Sequence, residues 1–161
     1  MPDLISELRE VSSMSETDAF LETTMAGYRD AETALHNGGA EPRKAIWART
    51  DPVTLLGAAF SATGWEEIEP IFDRLQARFS NCTSCEHEII AAGASGDLAY
   101  LVAFENTTAS VNGSPPLPYR LRATTVFRRE DGVWKVVHRH ADPVGSENAA
   151  ALVQRLVAPD A

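Results

Sequence analysis

The run from Pro118 to Pro143, PYRLRATTVFRREDGVWKVVHRHADP, decides the fold. Tyr119 to Arg129 has the composition of a strand, Glu130-Asp131-Gly132 is a turn, and Val133 to His140 alternates as a second strand. The run therefore reads as a long antiparallel hairpin at the centre of a sheet. Strict alternation along its second arm puts Trp134, Val136, His138 and His140 on one face and Val133, Lys135, Val137 and Arg139 on the other. On the first arm Arg120, Arg122, Thr124 and Val126 share a face opposite Leu121, Ala123, Thr125 and Phe127. Polar groups set into such faces either bind something or are satisfied internally.

Upstream, Glu86–Ala92 and Leu98–Thr108 read as two further strands joined across Gly93–Asp97, with Leu98, Tyr100, Val102 and Phe104 facing away from Ala99, Leu101, Ala103 and Glu105. Ser15 with Asp18 has the spacing of a helix cap, and the small and apolar positions beyond it, Gly27, Ala31 and Ala34 among them, extend a helix to Gly38-Gly39. A short helix follows from Pro42 through Trp47, and Val53–Leu56 is a brief strand. Thr63 and Glu66 form a second capping box, and Ile68, Ile71, Phe72, Leu75 and Phe79 make one helical stripe up to Asn81.

The 161 residues suffice for one domain with a proper core, and 44% hydrophobic content is ordinary for a globular chain. A net charge of −9 argues against nucleic-acid binding, which needs a basic surface, and Arg128, Arg129, Lys135 and Arg139 read as solvated strand charges more than as a local basic groove. No apolar run approaches a membrane span and the first residues lack the pattern of a secretion signal, so a cytoplasmic location is the expectation. Cys82-Thr83-Ser84-Cys85 has the spacing of a redox pair or half a zinc site, but these are the chain's two cysteines and no thioredoxin-like pattern surrounds them; they read as plain thiols.

Three helical segments followed by consecutive strands predict an α+β domain in which a cone-shaped, curved antiparallel sheet wraps over the helices. Residues 1–14 form an arm or short helix, 15–143 the single domain, and 144–161 a partly helical tail. Apolar residues left on the outer sheet face, Val133 and Val137, point to a homodimer through that face.

This order of elements resembles the nuclear-transport-factor-2-like superfamily in its SnoaL-like, steroid-isomerase-like branch, a cystatin-like roll. The likeness covers residues 16–143 and is sharpest at Arg122-Ala123-Thr124, Asp131-Gly132-Val133-Trp134 and Val136-Val137-His138-Arg139-His140. It implies an apolar pocket between helices and sheet, open to isomerases, polyketide cyclases, dehydratases and non-catalytic modules alike.

By that resemblance Asp51 matches the region of the family's catalytic base, although Asp-Pro also starts turns. Tyr28 matches an enolate donor, and His140 borders the pocket as a proton acceptor or as the partner of Asp142 or Glu105. Arg122 either clamps a ligand or pairs with an interior acid. His138, Trp47, Tyr100, Glu105 and Phe60 complete the candidate ligand-binding set, with core packing the alternative for the aromatics. The second isomerase donor has no secure match. His138-x-His140-x-Asp142 has metal-site parity, which any strand produces easily, so neither metal nor cofactor is expected. The functional expectation is a small-molecule pocket protein moving a proton on an apolar or cyclic substrate without a cofactor, as an isomerase, cyclase or hydratase. The alternative is a non-catalytic ligand-binding or dimerisation module of the same fold.

Overall fold

The computed structural model describes residues 14–145 and 147–159. The arm expected over 1–14 lies outside them but for Met14. Among the described residues four helices and six strands follow in the order α1 (Glu16–Leu35), α2 (Glu41–Ala45), β1 (Thr54–Leu56), β2 (Ser61–Thr63), α3 (Trp65–Arg78), β3 (Phe79–Ser95), β4 (Leu98–Val111), β5 (Leu117–Glu130), β6 (Val133–Pro143) and α4 (Glu147–Val157). The strands form one sheet in the order β2-β1-β6-β5-β4-β3. All pairings are antiparallel except β1 with β6. This is the α+β architecture expected, a curved sheet packed against N-terminal helices.

Local chemistry explains the boundaries. Ser15 Oγ accepts the Asp18 amide at 3.0 Å and caps α1. The start of α3 differs from the expected capping box: Gly64 stands at its N-cap with φ +84°, and Glu67 reaches back to the Thr63 amide at 2.9 Å. Phe79 belongs to β3 instead of the helix and extends that strand well ahead of Glu86. At the β5–β6 turn Asp131 and Gly132 both have positive φ, as a two-residue hairpin requires.

The layer between helices and sheet is apolar at its centre. Phe20 and Tyr28 of α1, Ile68 and Phe72 of α3, Leu101, Phe127 and Val136 of the sheet, and Trp47 form one buried cluster. Phe79, Ala109, Val111 and Tyr119 form a second with Leu152 and Leu156 of α4. Gly27 is not a close-packing position, since an added Cβ would meet nothing within 4 Å.

One irregularity reorders the central hairpin. Val126 pairs with His138 but Phe127 pairs with Val136, leaving Val137 as an extra residue on β6. Such a bulge reverses the alternation beyond it. Trp134 and Val136 face the helices, as Trp134 packing on Phe20 shows, and beyond Val137 it is Arg139 that turns inward, 6% exposed. The expectation that His138 and His140 share the face of Trp134 and Val136 is thereby corrected. The outer face carries Tyr100 and Leu98, 45% and 57% exposed, rather than Val137, which packs against the core.

Candidate functional site

A cavity of about 80 Å³ lies between the two apolar clusters. Its apolar walls come from Leu55, Phe60, Ile71, Phe72, Leu75 and Leu152, and its polar wall from Glu32, His36, Arg43, Tyr119 and Arg139. Four-residue spacing along α1 and its C-cap brings Tyr28, Glu32 and His36 to the side facing the sheet, where all three are buried.

The polar wall has a defined order. His36 Nδ1 lies 2.8 Å from the Glu32 backbone carbonyl, which can only accept, so Nδ1 carries the proton and Nε2 is the acceptor. The Tyr119 hydroxyl donates to that Nε2. Glu32 Oε2 stands 3.7 Å from Nδ1, and Glu32 is paired with Arg43 on its other side. Burial pushes the His36 pKa below its ordinary value, Glu32 opposing, and burial pushes the Tyr119 hydroxyl well up. Burial alone would raise the Glu32 carboxyl, but Arg43 and then Arg139 outweigh it and hold the pKa at about 2. The row is therefore carboxylate, neutral imidazole and neutral phenol.

Behind Arg139 lies a second buried network. Its guanidinium forks onto Glu105 at 2.7 and 2.6 Å and gives a further bond to Tyr28 Oη at 2.9 Å. Tyr28 Oη is also 3.1 Å from Thr125 Oγ1. His87 stands 4.0 Å from Glu105 with a side chain only 1% exposed, and neither ring nitrogen has a hydrogen-bond partner among the described residues.

The residues expected from sequence distribute unevenly around this cavity. Phe60 lines it. Glu105 and Tyr28 are interior, but their polar atoms serve Arg139. Trp47 is core, 1% exposed. Asp51 is exposed, next to Pro52 across a cis peptide bond. His140 is also exposed, with Nε2 3.2 Å from Asp142, and Arg122 lies beside it along a shallow outer groove. His138 bonds Thr54 Oγ1 at 2.7 Å. Tyr100 stands on the outer face above Gly93, where an added Cβ would meet its ring at 2.6 Å. The acid–base pair of Asp51 and His140 is thus not assembled at the cavity, because the Val137 bulge turns His140 outward.

Glu32, His36, Arg43, Tyr119 and Arg139 were missed. Polar residues at four-residue spacing on an otherwise apolar helix stripe were the available signal for the first two. Glu32, His36 and Cys85 bring ligand atoms within 4.8 Å of one another, a donor set of metal-binding type. Their present bonds already occupy both His36 nitrogens and the Glu32 carboxylate. Burial pushes the Cys85 thiol up to about 11 and also raises Cys82, consistent with unreactive thiols.

A SnoaL-like domain model matches residues 23–144. No curated protein matches the chain at significant similarity. Among solved structures, a Streptomyces avermitilis protein provisionally named a dehydratase of the NTF2-like family is 22% identical, with a TM-score of 0.63 over 80% of this chain and 99% of its own. A ketosteroid isomerase-like protein from Erwinia carotovora atroseptica is 17% identical, with a TM-score of 0.62 over 79% and 98%. An NTF2-like superfamily protein from Salmonella enterica is 17% identical, with a TM-score of 0.64 over 78% and 91%. Among the described residues no helix is long and apolar enough to cross a membrane.

The His36 environment has a consequence for stability. Below its ordinary pKa of 6.5 the unfolded chain binds a proton that the native state resists, so stability falls as pH drops through this region. Glu32 adds a second loss below 4.5, where the unfolded carboxyl protonates while the native one holds out to about 2. Urea midpoints measured from pH 7 to 5 should fall for the wild type and fall less steeply for His36→Asn, His87 supplying part of the remaining slope. Equal slopes would show that His36 is not a buried neutral base.

Proposed function

The chain belongs to the SnoaL-like family, and on that footing we propose that it is a small-molecule pocket protein in which Tyr119, backed by His36 and Glu32, moves a proton on a ligand with an apolar body and a carbonyl head. The observation that carries this reading is the carboxylate–imidazole–phenol row on the wall of an otherwise apolar cavity. Such an order is that of an activated hydroxyl with its base and the group that orients the base.

In the proposed step a ligand C–H proton passes to Tyr119 Oη as the phenolic proton moves to His36 Nε2. The electron pair left on carbon moves into the carbonyl oxygen as an enolate; return of the proton at another position completes an isomerisation, whereas in a ligand with a β-hydroxyl the pair returns from oxygen, the C–O bond breaks, and the hydroxyl departs as water with the proton held by the relay. Glu32 stabilises the transient imidazolium, while Arg43 and Arg139 provide positive charge for the oxyanion. A proton relay of this kind calls for no cofactor. The dehydratase and isomerase names of two structural relatives fall in the same class of chemistry. Asp51 and His140 have no part in it.

The mutual pairing of Glu105 with Arg139 and of Glu32 with Arg43 favours a second reading, a non-catalytic ligand-binding module of the same fold. Exchange of the α-protons of cyclohexanone in D2O, followed by NMR, separates the two. Catalysis predicts exchange above the buffer rate, reduced by about 10²-fold in Tyr119→Phe. Exchange at the buffer rate with cyclohexanone still perturbing the Tyr119 signals would leave the binding module. Neither effect would sink the pocket reading.

The outer sheet face completes the proposal. Ile90, Leu98 and Tyr100 are exposed there, beside the opposed charges of Glu88 and Arg120. Covering them with the same face of a second copy buries apolar surface and keeps opposite charges adjacent. Sedimentation should give a dimer that Tyr100→Arg converts to a monomer; a wild-type monomer at tens of micromolar, on the order of a weak-interface Kd, would dispose of this part.

A further inference from the structure

We infer that helix α4 is a removable wall of the cavity, latched by Arg78, and that ligand enters by its undocking. The identity of the ligand rests on the pocket reading above; the motion does not. Size is the first reason. Ligand pockets usually enclose about 300–1,000 Å³, whereas this cavity has about 80 Å³. Room for a cyclic molecule has to come from moving a wall.

The walls differ in how firmly they are held. Glu32 belongs to α1 and His36 to its C-cap, and that helix also buries Phe20 and Tyr28, each 1% exposed; the Phe72 wall belongs to α3, anchored by Ile68 at 0%. Tyr119 and Arg139 sit within the paired strands of the sheet. By contrast α4 buries Leu152 and Leu156 alone among its described side chains, and both line the cavity. Withdrawing α4 removes two leucine side chains from the cavity and uncovers the second apolar cluster, while the first cluster and the sheet stay intact.

Among the described residues, the polar attachments of α4 to other elements lie at its C-terminal end. Arg78, the last residue of α3 and only 7% exposed, donates from Nη1 to the Arg155 carbonyl and from Nη2 to the Ala158 carbonyl, both at 3.1 Å. Asn112 Nδ2 adds a longer bond to the Arg155 carbonyl at 3.4 Å. Carbonyls at a helix end lack intrahelical donors, and a cation there also meets the negative end of the dipole. Arg78 therefore caps α4 from another element and is the contact that decides whether the helix is docked. An 11-residue helix has little stability alone in water, so release from this seat also melts it. The opened state is a local unfolding, one of the modes by which native proteins open without global denaturation.

Hydrogen exchange followed by mass spectrometry on the full chain tests this directly. In the wild type the amides of 147–157 should exchange at least about tenfold faster than those of β4 and β5, and Arg78→Ala should speed them roughly tenfold more while leaving β4 unchanged. Asn112→Ala, which removes only the weaker bond, should shift α4 in the same direction and serves if Arg78→Ala does not fold. Exchange of α4 only together with β4, unaltered by the folded variant, would overturn the lid. If cyclohexanone perturbs Tyr119 while α4 opens only globally, the pocket stands without a lid. If α4 opens separately and no ketone binds, the lid stands and the pocket reading falls.

Discussion

The single extra residue at Val137 is the constraint on which the interior depends. Without it, strict alternation along β6 would send two histidines toward the helices and Arg139 to the outer face. With it, Trp134 and Val136 keep their places in the core and Arg139 turns inward to Glu105. β5 lies between these two strands, and its inward residues there, Ala123 and Thr125, are small. They leave room for a guanidinium from β6 to cross to a carboxylate on β4. One bulge thus decides both which cation the interior receives and which imidazoles it does not.

A cation placed in an apolar layer has to be matched, since desolvation penalises a lone charge heavily. Glu105 meets that need with two bonds, and its attraction holds the Arg139 pKa well above the ordinary value although burial works the other way. Arg43 and Glu32 form the corresponding pair on the helical side. Within these two pairs the charges balance, which leaves His36 and His87 free to remain neutral, and burial drives both in that direction. A neutral His36 with its proton fixed on Nδ1 is what allows Tyr119 to donate to Nε2. The proposed proton relay consequently depends on charge neutralisation within the wall itself, Glu32 with Arg43 and Arg139 with Glu105.

Much of the fold was legible because its signals are local. Ser15 with Asp18, the Asp131-Gly132 turn and the alternation from Leu98 to Glu105 each act over a few residues, and each gave the right element. The face containing Glu105 was also read correctly as opposite to that of Tyr100. The site was legible only in part. A bulge leaves no reliable mark in a run such as Val136-Val137, where either valine suits either face, so the parity of His138, Arg139 and His140 was reversed. Glu32 and His36 lay hidden because a buried charge depends on a partner distant in the chain, here Arg43 and Tyr119. The role of Leu152 and Leu156 required knowing where the last helix docks, which its apolar spacing does not specify.

The most direct measurement is a double-mutant cycle on Glu105 and Arg139, with urea unfolding of Glu105→Gln, Arg139→Met and the double variant. Each single substitution should cost about 3–5 kcal/mol, since it strands a buried charge. The double variant should recover about 2–3 kcal/mol of their sum. Losses that add to within about 0.5 kcal/mol would mean that Arg139 and Glu105 do not meet inside the protein, and the interior site built on the Val137 bulge would have to be abandoned.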